Sequence, residues 1–242
     1  MNEADAAPFS ESRRLTGHNR FFDGPGAVLE TEVRDPATLA GWAERVRIAR
    51  RELRWPDAPL AALTHATGAS LALSAPADQL FTATEVNEWA LAASIAEREP
   101  ARTASLIASL AAEQPEEPEP PVLEPRGALL RLRRRAAREA DPRLRALLTA
   151  VDGHGLPWIA DEEALTLGAG AGARSWPAAE LPDLASVDWA ALSGVPTALV
   201  TGTNGKTTST ALVRHLLNAQ GTAGSIGTLG AFDHRQRHAV LI

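Results

Sequence analysis

Residues 196–221 read PTALVTGTNGKTTSTALVRHLLNAQG, and the order of residue types in this stretch decides how the chain is understood. Ala198-Leu199-Val200 is a short apolar run that predicts a buried strand. Thr201-Gly202-Thr203-Asn204-Gly205 supplies a turn. From Lys206-Thr207-Thr208 onward, Leu212, Val213, Leu216 and Leu217 recur at helical spacing, and Gly221 marks the helix end.

Strand, Gly-rich turn, Gly-Lys-Thr and helix is the order that a phosphate-binding loop requires. Backbone N–H groups in such a turn converge on an anion. The helix N-terminus adds roughly half a positive charge. Lys206 is placed to reach the β/γ-phosphates, and the Thr207 hydroxyl to coordinate Mg²⁺. The backbone of Thr203, Asn204 and Gly205 would cradle the phosphates, with Thr208 beside them. Gly202 and Gly205 would keep Cβ atoms out of the way. The general pattern G-x-x-x-x-G-K-[ST] wants glycine at position 200, where Val200 stands, so Gly202 opens a shorter loop. The competing reading is a chance Gly-Lys-Thr in an ordinary strand-to-helix turn. Composition argues against chance. Of the 24 Lys and Arg residues, Lys206 alone is lysine. Ammonium and guanidinium are not interchangeable at a phosphate, and the one lysine stands where an ammonium is wanted.

TGTNGKTT, residues 201–208, resembles the ATP-binding loop of the Mur ligase family, whose shortened spacing it shares. The resemblance implies an ATP- and Mg²⁺-dependent ligase. Such an enzyme phosphorylates a carboxylate to an acyl phosphate, which an amine then attacks to give an amide. Gly227-Thr228-Leu229-Gly230 is similar to a second strand end of these domains, where Thr228 would approach the nucleotide or Mg²⁺. Two earlier segments, LTGHNRFFDGPGAVLE (15–30) and TATEVNEWA (82–90), resemble the N-terminal region of cyanophycin-synthetase-like members. Residues 147–176 look like the stretch that precedes an ATP-grasp domain in those enzymes. No such domain fits between Trp176 and Pro196, which sets full cyanophycin synthesis in question.

The remainder of the chain supports a soluble, cytoplasmic reading. Net charge is −6 and apolar residues make up 45% of the 242 residues, enough for a sizeable core. The charge gives no case for a nucleic-acid or membrane surface. Without cysteine there are neither disulfides nor thiolate metal sites. The first residues carry no apolar signal region, and no apolar run reaches the ~18 residues of a membrane span.

Along the chain, the expected organisation begins with a disordered arm over 1–14, followed by a small α/β domain over 15–112. Within it, Ala27 to Val33 and Leu71 to Leu73 predict strands. Phe21 and Phe22 are expected in packing, and His18 in a turn. Asp35-Pro36 starts a helix to about Arg54. A helix through Ala96 is expected to be capped by Thr82 or Thr84, with Thr82 and Glu85 as a capping box. Residues 113–125, EQPEEPEPPVLEP, predict an acidic extended linker rather than a metal site of Glu113, Glu116, Glu117 and Glu119. Residues 126–194 follow as a helical connector. It opens on an Arg-dense helix with Arg131, Arg133, Arg134, Arg135 and Arg138, read as a solvated face. A second helix begins at Asp141-Pro142. The glycines at 168, 170 and 172 fit a loop better than a dinucleotide fingerprint.

Residues 195–242 then begin a Mur-like ATP-binding domain built on a parallel sheet. The expected fold class is α/β. The reading is of an N-terminal portion of a ligase, cut within the ATP-binding domain and inactive alone. Its partners would be ATP and unknown carboxylate and amino-acid substrates, with homo-oligomerisation left open. The alternatives are a non-catalytic interaction module with residual nucleotide binding, and a P-loop NTPase switch. Ala239 to Ile242 could form an edge strand. His215, His234 and His238 lack the spacing of a metal site.

Overall fold

Asp35 and Pro36 start a helix for local reasons. The Asp35 carboxylate accepts from the Thr38 N–H at 2.9 Å and from the Thr38 hydroxyl at 2.7 Å. Pro36 occupies a first-turn position that needs no donor. Helix α1 spans Pro36–Leu53 and stops at Arg54, which takes a left-handed conformation at φ 57. Leu39, Trp42, Val46 and Ala49 form its buried stripe. The computed structural model describes residues 8–113, 119–219, 221–232 and 237–238.

The helix packs on a sheet of four strands: β1 (Glu11–Leu15), β2 (Gly26–Thr31), β3 (Leu60–His65) and β4 (Gly68–Ser74). Their order is β1-β2-β4-β3, with every neighbour antiparallel. The disordered arm expected over 1–14 is corrected where it is described. Residues from Glu11 pair with β2, and Phe9 is buried in the core. Residues 1–7 lie outside the described residues.

Helix α2 (Leu80–Arg98) is buried along most of its length. Its Asn87 amide donates to the Leu71 carbonyl at 2.9 Å and accepts from the Trp42 indole N–H at 2.7 Å. One side chain thus ties α2 to β4 and to α1. The predicted capping box is overturned. The helix begins at Leu80, so Thr82 lies inside it. The cap comes from far along the chain: Glu139 accepts from the Phe81 N–H at 2.7 Å, the Thr82 N–H at 2.8 Å and the Thr82 hydroxyl at 2.7 Å. A carboxylate at a helix N-terminus answers both the orphan donors and the dipole.

Helices α3 (Thr103–Glu113) and α4 (Pro125–Glu139) follow. Leu106, Leu110, Ala128 and Leu132 share one buried core with Trp42 and Leu91, so packing continues across the acidic stretch. Helix α4 is not solvated all round. Arg131 is buried and lies 3.1 Å from a Glu85 carboxylate oxygen, with Arg135 against the other oxygen. Arg134 does reach the acidic stretch, at 2.6 Å from Glu119.

Burial pushes the Glu85 carboxyl up to about 7, against the pull of Arg131 and Arg135. The folded state therefore holds a proton that an ordinary Glu, near 4.5, would release. The stability this group contributes is full below the unfolded value and is lost as pH rises to about 7. Glu85→Gln removes the titration. The unfolding free energy of the wild type minus that of this variant, measured in urea, is expected to fall by a few kcal/mol between those two pH values. A difference that stays flat or rises across the window contradicts the assignment.

Helix α5 (Pro142–Gly153) opens on Asp141, whose carboxylate accepts from the N–H groups of Arg143 and Leu144 at 2.9 and 3.1 Å. It packs on an antiparallel sheet of β5 (Trp158–Ala160), β6 (Ala164–Leu167) and β7 (Arg174–Pro177). Leu147, Leu148, Val151, Leu165 and Leu167 make this second core. Asp78 joins it to the first core, accepting from Arg145 at 2.7 Å and from the Asp141 N–H at 2.9 Å. The glycine-alternating loop is pinned rather than loose. Ser193 exchanges backbone hydrogen bonds with Ala169 and Gly172, and a Cβ on Gly172 would fall 2.0 Å from the Ser193 hydroxyl.

The chain divides by contacts into Met1–Gly194 and Val195–Ile242. The second unit holds α6 (Lys206–Asn218) and the strands β8 (Ser225–Gly227), β9 (Gly230–Phe232) and β10 (Arg237–His238), again antiparallel. The mixed α/β class stands. The parallel sheet expected for this segment is not formed among the described residues. Residues 198–200 have no ladder partner there, and Leu199 is 93% exposed. An apolar run becomes a buried strand only when neighbours cover it. Ala239 to Ile242 lie outside the described residues. No helix among the described residues is long and apolar enough to cross a membrane.

Candidate functional site

The loop before α6 is built by two glycines. Gly202 sits at φ 145 and Gly205 at φ 78, values that a Cβ opposes. Gly205 immediately precedes α6, and no side chain caps the helix. The N–H groups of its first turn meet no competing side-chain cap, at the positive end of the helix dipole. Lys206 folds back over the loop. Its ammonium donates to the carbonyl oxygens of Gly202 and Thr203, the latter at 3.4 Å. These contacts hold the charge above the turn.

Beside the loop lies a cavity of about 300 Å³ between α6 and the β8–β9 hairpin. Lys206, Thr207 and Thr228 all line it, although Thr228 is far along the chain from the other two. Thr203, Asn204 and Thr208 do not line it. They stand exposed around the turn. The charged cavity residue missed in the sequence is Arg214, whose guanidinium carbon lies 4.4 Å from the centroid of the Phe232 ring. The available signal was spacing, since residues 206, 207, 210, 211 and 214 fall on one face of a helix. Thr210 and Ser225 add hydroxyls, and Val200, Ala211, Ile226 and Leu229 add an apolar wall.

The donor set can hold an oxyanion. A metal ion is a different matter. Thr207 and Thr228 offer hydroxyl oxygens, and among the described residues no carboxylate lines the cavity. Mg²⁺ is usually held by one or two carboxylates together with substrate phosphates. The residues present therefore fit an Mg²⁺ that arrives on phosphates, not one held by the protein alone. Among the described residues no group of three His, Asp or Glu side chains could bind a metal. Of the earlier candidates, Glu116, Glu117 and His234 lie outside the described residues.

The first unit has a cavity of its own, about 920 Å³, lined by β1, the start of α2 and the β5–β6 hairpin. Carboxylates outnumber arginines along it. Arg14 crosses it, 2.8 Å from Glu162 and 4.0 Å over the Phe81 ring. His18, beyond that cavity, is exposed and pairs with Asp23.

Residues 200–239 match the model of the Mur ligase middle domain. No curated protein matches the chain. The matched segment contains the loop, Lys206, Thr207, Arg214 and Thr228, and members of this family use ATP and Mg²⁺. Over these residues the chain is similar to the middle domain of the Mur ligases, a family of ATP-dependent ligases.

Proposed function

We propose that the chain carries the nucleotide site of an ATP-dependent carboxylate–amine ligase of the Mur type, nearest in character to the cyanophycin-synthetase-like members. The observation that carries this reading is the Gly202–Thr208 turn, with two left-handed glycines, an uncapped helix start and the sole lysine above it. Lys206 binds the β/γ-phosphates. Thr207, with Thr228 across the cavity, would hold the Mg²⁺ that accompanies them. The backbone from Gly202 through Thr208 cradles the phosphates. ATP donates its γ-phosphoryl group to a carboxylate, and the amine displaces phosphate from the acyl phosphate. The bound metal would neutralise charge on the transferring group. The residues of this chain orient the phosphates and supply positive charge.

The test is binding, followed by trapping. Saturable Mg-ATP binding that Lys206→Ala abolishes is expected; with hydroxylamine and a panel of N-acyl amino acids and dipeptides, hydroxamate formed together with ADP would show that the chain also transfers the phosphoryl group. ADP and phosphate released with no dependence on acid or amine would point to an NTPase switch instead.

A second reading, an interaction module with residual nucleotide binding, is favoured by one observation. The C-terminal unit leaves Leu199, Leu212, Leu216, Leu217 and Ile226 more than half exposed. Mg-ATP bound without hydroxamate formation under any acid supports that reading.

A further inference from the structure

The cavity beside α6 has a charge pattern that the phosphate-loop motif alone does not require. Among the described residues it is lined by two cations, Lys206 and Arg214, and by no carboxylate, in a protein of net charge −6. Lys206 is held by two carbonyl oxygens. Arg214 has no carboxylate partner among the described residues, and its guanidinium carbon lies over the Phe232 ring. A half-buried, unpaired guanidinium is costly unless an anion joins it. The buried Arg131 and the half-exposed Arg145 each meet a carboxylate, Glu85 and Asp78.

Distance separates the two cations. Eight residues along a helix is about 12 Å of rise, more than two turns. Lys206 sits at the loop, where a phosphate chain would lie. Arg214 stands deeper along the same wall, near the hydroxyls of Thr210 and Ser225. One phosphate does not need both.

We infer that Arg214 is a second oxyanion clamp in this cavity, separate from the phosphate cradle, and that it positions a substrate oxyanion by a forked guanidinium contact. This rests on the ligase reading above: the reacting carboxylate must lie at the terminal phosphate near Lys206, so the oxyanion that Arg214 holds is a second acidic group of the acid substrate. A carboxylate and a phosphate group share the chemistry that Arg214 would recognise. The Phe232 ring beneath the guanidinium carbon limits its movement, so that Arg214 acts as a positioning residue toward the acid.

The test uses the full chain and isothermal titration calorimetry with three probes: Mg-ATP, succinate and inorganic phosphate. The variants are Arg214→Gln, Arg214→Lys and Lys206→Ala. Arg214→Gln is expected to weaken succinate by about tenfold or more while Mg-ATP stays within about twofold. Arg214→Lys, which keeps charge but not the fork, recovers only part of the loss. Lys206→Ala does the reverse, losing Mg-ATP and keeping succinate. A loss confined to phosphate in Arg214→Gln assigns the clamp to the nucleotide and overturns the substrate assignment. Unchanged binding of both small anions, or no binding of either by the wild type, overturns the clamp itself. If Lys206→Ala keeps full Mg-ATP affinity, the nucleotide reading fails, and the Arg214 result can still be read on its own. Circular dichroism of each variant separates these outcomes from misfolding.

Discussion

Lys206→Arg, a substitution that keeps the charge, is expected to weaken Mg-ATP binding by about a hundredfold. An ammonium is a compact point charge with three donors. It can sit over a tight turn and be shared between the carbonyls of Gly202 and Thr203, as Lys206 is. A guanidinium is a flat fork on a longer stem, and it would have to displace the turn to reach the same place. A chain that uses arginine at every other basic position already implies that arginine does not serve here. Lys206→Ala should lose at least as much. Lys206 is exposed at the start of α6, so thermal unfolding should move little in either variant. Arginine that retains affinity within about twofold would show that only charge matters at this position, and the argument from composition would fall.

Trp42→Ala is expected to destabilise the first unit by about 4 kcal/mol, within the usual range for a buried tryptophan. Trp42 is fully buried, and its indole N–H donates to Asn87 at 2.7 Å. Truncation leaves a large cavity between α1 and α2 and strips Asn87 of a partner inside the core. Trp42→Phe separates the two terms. It fills most of the volume but still strands Asn87, and it should cost about 1–3 kcal/mol. Urea denaturation followed by far-ultraviolet circular dichroism reads both. If Trp42→Phe costs as much as Trp42→Ala, the polar contact and not the packing dominates. A cost under about 1 kcal/mol for Trp42→Ala would mean that this core is not placed as described.

The local signals proved legible. Asp35-Pro36 and Asp141-Pro142 begin helices because a short acceptor and a fixed φ act within a few residues. In the loop, the turn and the start of α6 at Lys206 were legible in the same way, because left-handed glycines act within a few residues. What failed depends on distant partners. Thr82 and Glu85 have the spacing of a capping box, yet Glu139 does the capping, and Glu85 is drawn into α4's arginines. Strand β3 is largely exposed, and β1 is half-exposed along an edge. Neither shows the apolar alternation that marks a half-buried strand. Residues 198–200 have the right composition for a buried strand and no neighbour to make them one. Arg214 escaped notice because its meaning comes from the β8–β9 hairpin that closes the cavity.

The central claim is that the turn from Gly202 to Thr208 receives the phosphates of a nucleotide. Backbone amides report this directly. In a ¹⁵N–¹H correlation spectrum of the full chain, added Mg-ATP should shift the amides of Gly205, Lys206, Thr207 and Thr208 together, saturably, and more than any others. The shifts should vanish in Lys206→Ala. Mg-ATP that leaves these four amides in place, or that moves residues of the first unit instead, would contradict the account.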